Sequence, residues 1–328
     1  MNKHLLNMPP YPWQSRVWET FVGSSQNEKL PHAILLTSQE GLGVDKLALA
    51  MAQYVLCGSP EGNSACGDCK SCQLLKGASH PDLLLIESQT DSGQLLVDQV
   101  REVNHFVAQT SQQGGYKVIV LHPAHAMNQS AANALLKNLE EPAGLTFFIL
   151  ATTKPGALLP TIRSRCRVMA LPSPPLDVAE TWLLSQGVKD ALRYLNTLGN
   201  LPLRVMDWFN QGKLEEHQKL LEGLDSLAMQ KVGTSSILKQ WNAMEPAEVI
   251  DSALMWSESL IRRRCGRLNP DESAAFEKSD EIKLFRFRDR LCQKRALLQS
   301  TANINMSLVL EEIAYDLSAL GRTSRIIE

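Results

Sequence analysis

The feature that most constrains this chain is a glycine-containing loop between a strand pattern and a helix pattern. The strand pattern HAILLT occupies residues 32–37, the loop SQEGLGVD occupies residues 38–45, and an apolar-periodic helix pattern follows from Lys46 to Val55. Phosphate-binding P-loops have this layout, because glycines let backbone N–H groups surround a phosphate at a helix N-terminus. The sequence therefore predicts a nucleotide-binding α/β fold.

The same loop lacks the side chains that bind and hydrolyse ATP. The P-loop pattern G-x-x-x-x-G-K-[ST] needs a lysine for the phosphates and a hydroxyl for magnesium. Gly41 and Gly43 preserve the bend, but the first glycine is Ser38, the lysine position holds Val44 and the hydroxyl position holds Asp45. Since the carboxylate of Asp45 would repel a triphosphate, we predict no productive ATP binding.

The acidic pair that accompanies a P-loop is also missing. A P-loop ATPase places acids after a later strand, for magnesium and for the attacking water. Here the strand pattern KVIVL is followed by His122 and Pro123, and proline can neither coordinate a metal nor accept a proton. We interpret His122 and His125 as ordinary strand-end histidines, because no third ligand lies nearby in the sequence.

Composition excludes some classes of protein. The chain has 328 residues, 44% hydrophobic content and a formal net charge of −2, so it has no overall attraction to nucleic acid or to an anionic membrane. No apolar run approaches the roughly 18 residues of a membrane span, and the first residues lack the apolar core of a signal peptide. We expect a cytoplasmic protein with no membrane partner.

The order of patterns predicts an α/β domain followed by helices. Five β-rich runs alternate with helical stretches up to about residue 170, which is typical of a parallel sheet. The segment LPSPPLD at 171–177 interrupts the chain, and nearly everything after it has helical periodicity. We predict an α/β domain at residues 1–170, a small helical lid domain at 171–208 and an all-α C-terminal domain at 209–328.

A cysteine cluster at about residues 57–72 predicts a metal-binding insertion. Its spacing is C-x8-C-x2-C-x2-C, formed by Cys57, Cys66, Cys69 and Cys72. Two-residue spacings let a tight turn direct successive sulfurs at one tetrahedral ion, and Gly58 and Gly67 supply freedom to turn. We predict structural zinc. The alternatives are that Cys57 is only a small buried residue, or that Cys66 and Cys69 form a redox pair.

A longer segment carries a resemblance to a known family. Residues 131–153 read AANALLKNLEEPAGLTFFILATT, and residues 158–166 read LLPTIRSRC. Apolar residues at helical spacing predict an amphipathic helix, and we interpret Glu140 and Glu141 at its end as solvated charges. Together with YPWQ, VDQVREV, NINMSLVLEEI and the cysteine insertion, these segments resemble the AAA+ subunits of bacterial and eukaryotic clamp loaders.

The resemblance implies a role in DNA replication. It implies a hetero-pentameric ring with gamma/tau-type motor subunits and a delta-type subunit, which opens a sliding clamp and sets it on primed DNA. The C-terminal domain would be the oligomerisation collar. This chain resembles a non-hydrolysing member that donates Arg165 in trans to a neighbour's ATP site, with Ser164 and Cys166 holding the geometry. It would be an accessory subunit of a DNA-directed DNA polymerase holoenzyme, whose assembly carries the nucleotidyltransferase and ATPase activities.

Other interpretations remain open at the level of the sequence. Arg165 stands near Arg163 and Arg167, so it can instead be one of several solvated charges. The chain can also be an active motor ATPase with an atypical P-loop, or a zinc-ribbon protein that binds nucleic acid. The role of Arg204 is open. For the C-terminal basic residues we favour solvated faces and salt bridges over DNA contact: Arg262, Arg263, Arg264, Arg286, Arg288, Arg290, Lys294 and Arg295.

Overall fold

The structure is a computed structural model that describes residues 10–87, 95, 97–264, 281–298 and 305–320. The chain divides into two compact units, Met1–Trp182 and Leu183–Glu328, and each is described by itself. No helix in the described ranges is long and apolar enough to cross a bilayer.

The first unit is built on a parallel sheet. Its strands are β1 (Ala33–Thr37), β2 (Leu83–Glu87), β3 (Lys117–His122), β4 (Thr146–Thr152) and β5 (Arg167–Ala170). Their spatial order is β2-β3-β4-β1-β5, and every neighbouring pair is parallel. The predicted α/β fold with a parallel sheet is confirmed.

Helices cover both faces of this sheet. They are α1 (Ser15–Gln26), α2 (Val44–Leu56), α3 (Lys70–Lys76), α4 (Val97–Ala108), α5 (Gln129–Glu140) and α6 (Pro160–Arg163). Helix α7 (Leu176–Ser185) follows β5, and the division between the two units falls within it. Successive strand residues point to opposite faces, so Phe147 packs in the core with α1 and α2 while Phe148 packs with α4 and α5. Burial on both faces explains why β1 and β4 are almost continuously apolar.

The second unit is helical throughout its described residues. Its helices are α8 (Ala191–Thr197), α9 (Pro202–Asn210), α10 (Leu214–Ala228), α11 (Thr234–Trp241), α12 (Pro246–Arg264), α13 (Glu281–Leu298) and α14 (Met306–Leu320). Trp241, Phe287 and Ile313 lie in one apolar core formed by helices α10 to α14. The helical C-terminal region is thus as predicted, whereas its division into a lid at 171–208 and a collar at 209–328 stays a prediction.

Candidate functional site

The glycine loop joins β1 to α2 with the bend expected of a P-loop. Gly41 has φ 83° and Gly43 has φ 75°, which is left-handed backbone that favours glycine. Gly43 immediately precedes α2, and its carbonyl accepts a hydrogen bond from the N–H of Leu47 at 3.0 Å. The helix therefore begins at Val44, two residues before the predicted Lys46, and its N-terminus lies within the loop.

A cavity of about 340 Å³ lies against this loop. The loop, the end of β3 and the segment after β4 contribute to its wall: Ser38, Gln39, Glu40, Gly41, Gly43, Val44, Asp45, His122, Pro123, His125, Thr153 and Lys154. Asp45 stands in the first turn of α2, where its negative charge interacts favourably with the helix dipole. A side-chain carboxylate thus occupies the helix terminus that serves phosphate in a working P-loop.

Two side chains of the YPWQ segment donate hydrogen bonds to backbone carbonyls of the glycine loop. Gln14 is fully buried, and its Nε2 donates to the carbonyls of Leu42 at 2.8 Å and Gly43 at 2.9 Å. The indole Nε1 of Trp13 also donates to the Leu42 carbonyl, at 3.1 Å. Sequence reasoning missed this support, because YPWQ and the loop are far apart in the chain and the only signal was a glutamine among aromatic residues.

His122 is the last residue of β3, and His125 lies in the short helical turn that follows the strand. His125 Nδ1 lies 2.8 Å from the hydroxyl oxygen of Thr152 at the end of β4. Burial lowers the pKa of His125, and the nearby charges of Lys154 and His122 lower it further. In the described residues, neither His122 nor His125 belongs to a cluster of metal-ligating side chains.

The cysteine insertion brings its predicted ligands together. The sulfur atoms of Cys57, Cys66, Cys69 and Cys72 all lie within 4.8 Å of one another. Cys57 Sγ is 3.5 Å from Cys66 Sγ and 4.0 Å from Cys69 Sγ. Four thiolates bound at about 2.3 Å around a tetrahedral ion are separated by roughly 3.8 Å, so this cluster fits a metal ion such as zinc.

Backbone geometry shapes the cysteine cluster. Gly67 has φ 81°, so a left-handed residue follows Cys66 and turns the chain toward Cys69. The N–H groups of Cys66, Cys69 and Cys72 donate to the sulfurs of Cys57, Cys66 and Cys69, respectively. Hydrogen bonds from Ser59 and from backbone N–H groups lower the pKa of Cys66 to about 6, whereas burial raises that of Cys72. Gly58, predicted to supply turning freedom as well, has no positive φ.

The insertion is tied to helices α1 and α2 by hydrogen bonds as well. The Trp18 indole donates to the Asn63 carbonyl at 3.0 Å, and the Tyr54 hydroxyl donates to the Gly62 carbonyl at 3.1 Å. Gln26 Nε2 donates to the same Gly62 carbonyl at 3.1 Å. These contacts position the loop between the first two cysteines, which is a structural arrangement rather than an open catalytic one.

Arg165 follows the short helix α6, just before β5. Its side chain is 33% exposed, and its Nη1 donates to the Thr161 carbonyl at 3.0 Å. Nη1 also lies 3.5 Å from the hydroxyl oxygen of Ser164, which itself donates to the Thr161 carbonyl. Cys166 is buried in the core, and that burial raises its pKa to about 11. Cys166 is therefore an anchor and not a reactive thiol.

The guanidinium of Arg165 also pairs with Glu140. Glu140 is the last residue of α5, and one of its carboxylate oxygens contacts Nη2 of Arg165. Glu140 is an exposed helix-end charge, as interpreted, and in addition it has a partner that is distant in the sequence. Glu141 is exposed, as expected.

The other basic residues of interest have contacts within the second unit. Arg290 pairs with Asp316 at 3.1 Å, Arg295 pairs with Asp251 at 2.8 Å, and Lys294 pairs with Glu312. These pairs agree with the interpretation of α13 as a salt-bridged surface. The guanidinium carbon of Arg204 lies 5.9 Å from the centre of the Trp208 ring. The side chains of Arg262, Arg263 and Arg264 lie outside the described residues.

Comparison with known proteins identifies the class and then the family. The sequence profile described as "DNA polymerase III, delta subunit" matches residues 13–175. A gamma subunit-related protein of DNA polymerase III from Thermotoga maritima has a similar fold, with a TM-score of 0.53 and 20% identity over 94% of this chain and 100% of that one. The fold is thus similar to that of a DNA polymerase III subunit-related protein, and the matching profile describes a subunit of the same polymerase.

Curated relatives narrow the assignment. DNA polymerase III subunit delta' of Pseudomonas aeruginosa is 36% identical over 94% of this chain and 98% of its own length. The Escherichia coli protein of that name is 42% identical over 53% of this chain and 52% of its own length. The chain belongs to the delta' family of DNA polymerase III subunits.

Proposed function

We propose that this chain is the non-hydrolysing stator of a replicative clamp loader and donates Arg165 to an ATP site on a neighbouring motor subunit. The observation that carries the proposal is a contrast within one unit. The loop lacks the phosphate-binding side chains of a P-loop, while an arginine follows α6, is partly exposed and is held by hydrogen bonds and an ion pair. Such a chain contributes to ATP hydrolysis only at a neighbour's site.

The walls of the loop cavity support the absence of ATP hydrolysis in this chain. They carry two carboxylates, Glu40 and Asp45, against one lysine, Lys154, so a triphosphate with its three negatively charged groups meets no excess of positive charge from these side chains. Lys46 is the first lysine after the loop, and its Nζ donates to the Tyr11 hydroxyl at 2.7 Å. Pro123 stands where a catalytic acid would be needed.

The chemistry of arginine supports a role in trans. A guanidinium presents planar, paired donors that match phosphate oxygens, and it stays charged at every physiological pH. An arginine supplied by a neighbour stabilises the charge that develops on the transferred phosphoryl group and accelerates hydrolysis by about 10³ to 10⁵. We assign this role to Arg165, with Ser164 and Cys166 as its structural support.

We further propose that the four cysteines hold one structural Zn²⁺. A complete set of four sulfur ligands leaves no open position for water or substrate, so the ion would stabilise the fold of the insertion. The partners that follow from the family are gamma/tau-type motors, a delta-type subunit, the sliding clamp and primed DNA, met through the assembled ring. A cytoplasmic location stays a prediction.

The test is ATP turnover by the reconstituted loader with primed DNA and clamp. Arg165→Ala should leave assembly and metal content unchanged and remove the part of the DNA-stimulated turnover that comes from the served site. Arg165→Lys should not restore it, because an ammonium cannot reproduce the two-pronged donor. Unchanged turnover with Arg165→Ala would show that the chain is only a structural member of the ring.

A further inference from the structure

We propose that Glu140 is a positioning residue for Arg165: it orients the guanidinium before a nucleotide site forms around it. This inference rests on the proposed function and extends it to a second residue. It predicts that the carboxylate at the end of α5 raises the rate at a neighbour's ATP site without touching the nucleotide.

The geometry holds the guanidinium at two points. Nη1 donates to the Thr161 carbonyl at 3.0 Å, and Nη2 contacts a carboxylate oxygen of Glu140. One contact comes from the arginine's own short helix, and the other comes from a different helix. An arginine with a single contact could still rotate about it, whereas two contacts on separate nitrogens restrict the plane of the group.

The segments that provide these two contacts pack in the same hydrophobic core. Leu135 and Leu139 of α5 are buried in the same apolar cluster as Ile162 and Cys166, which flank the arginine segment. Residues packed in a common core move little relative to one another. The carboxylate of Glu140 therefore has a defined place from which to orient the side chain of Arg165.

The strength of the pair favours positioning over inhibition. The Arg165 and Glu140 side chains are 33% and 48% exposed, and pairs this exposed contribute little to stability. Because such an exposed pair is weak, the phosphates of a neighbour's nucleotide can replace the Glu140 carboxylate as the partner of Arg165 at small cost. The pair is too weak to withhold the arginine, but it limits the rotamers that the free side chain samples.

The test is a double-mutant cycle in the reconstituted loader. Glu140→Ala, Arg165→Ala and the double variant are compared for DNA-stimulated ATP turnover across ATP concentrations. Glu140→Ala should lower kcat of the Arg165-dependent turnover by about three- to tenfold, through lost orientation. KM for ATP should not change. In the Arg165→Ala background the same substitution should have no further effect, because Glu140 acts only through Arg165.

Two variants control for folding and charge. Glu140→Gln keeps an acceptor oxygen, so it should lie between the native residue and alanine, and it replaces Glu140→Ala if that variant does not assemble. Glu141→Ala removes the same charge from the adjacent exposed position and should leave turnover unchanged.

The possible outcomes separate the two proposals. If Arg165→Ala itself leaves turnover unchanged, the role in trans is wrong and the role of Glu140 falls with it. If Arg165→Ala lowers turnover but the Glu140 variants do not, only the positioning role is overturned. Faster turnover with Glu140→Ala would indicate inhibition, and an additive loss in the double variant would indicate a general structural role; each contradicts the proposal.

Discussion

Individual side chains of this protein hold the glycine loop between β1 and α2 in place. Buried donors from Trp13 and Gln14 satisfy the carbonyls of Leu42 and Gly43, and Asp45 supplies the negative charge at the start of α2. Groups of the protein itself therefore stabilise the bend. Gln14 is therefore a structural residue, and its removal should lower the free energy of unfolding.

Gln14→Ala should destabilise the first unit by about 1–3 kcal/mol, because the buried Tyr11 N–H loses its acceptor, Oε1 of Gln14, at 3.0 Å. The Leu42 and Gly43 carbonyls keep other donors, the Trp13 indole and the Leu47 N–H. For a unit of this size that loss corresponds to a decrease in Tm of about 2–4 °C per kcal/mol. Thermal unfolding monitored by calorimetry measures it. Gln39→Ala, an exposed glutamine in the same loop, is the matched control and should leave Tm nearly unchanged. Equal Tm values for the two variants would contradict the account.

Contacts at this scale were the hardest to predict. The substitutions at Val44 and Asp45 could be identified from spacing alone, since a P-loop has a fixed length. The pairs Gln14–Leu42 and Glu140–Arg165 join segments distant in sequence, so no local pattern indicates them. Residue type gives the chemistry of a side chain, but tertiary packing selects its partner.

Among the structural elements, the cysteine insertion is held both by the cluster of its sulfur atoms and by hydrogen bonds from α1 and α2. Its sulfurs surround one point, and hydrogen bonds from Trp18, Tyr54 and Gln26 fix the loop after Cys57. Because four thiols without a metal have no common ligand, we expect metal binding and folding of the insertion to be coupled. The metal should therefore matter for stability more than for any catalytic step.

Cys69→Ser should remove stoichiometric zinc and lower the stability of the insertion, because a hydroxyl is a poor substitute for a thiolate ligand. Elemental analysis measures the metal, and limited proteolysis reports the opening of residues 57–72. Cys292→Ser, at an exposed cysteine of α13, should retain the metal. The assignment is wrong if purified native protein contains no metal or if Cys69→Ser retains a full equivalent of zinc.

Strand identity was predictable because buried parallel strands are nearly continuous apolar runs. All five runs seen in the sequence form strands of the sheet, including the weakest, β5, which is mostly exposed at the edge. The start of α2 was placed two residues late, since the left-handed Gly43 lets the helix begin within the loop. Boundaries depend on such backbone detail, which amino-acid periodicity does not record.

At the scale of the whole molecule, the chain combines an α/β unit with a helical unit and belongs to a family of accessory subunits. The spatial order of the strands, with β1 between β4 and β5, does not follow the chain and could be inferred only through resemblance to AAA+ proteins. The family was likewise predicted from sequence motifs, because composition and net charge exclude some classes of protein but do not identify one.

The isolated chain should neither hydrolyse ATP nor bind it tightly. The motif positions for the lysine, the hydroxyl and the acids of a P-loop enzyme all hold other residues, and the cavity wall carries two carboxylates against one lysine, Lys154. Isothermal titration with Mg²⁺-ATP and a phosphate-release assay on the purified chain measure both properties. Micromolar affinity with turnover would restore the interpretation as an atypical motor.

The role of Arg165 at a neighbour's ATP site is tested by comparing two variants of this chain in one reconstituted loader, Arg165→Ala and Asp45→Asn. Asp45→Asn keeps the size of a loop residue and is a cleaner control than Val44→Ala, since Val44 is only 3% exposed. The measurement is single-turnover ATP hydrolysis during clamp loading on primed DNA. We expect that the loader with Asp45→Asn loads clamps at the native rate, whereas the loader with Arg165→Ala loses the phase of hydrolysis from the served site and loads slowly. Native kinetics for Arg165→Ala, or a loss with Asp45→Asn equal to that of Arg165→Ala, would contradict this role of Arg165.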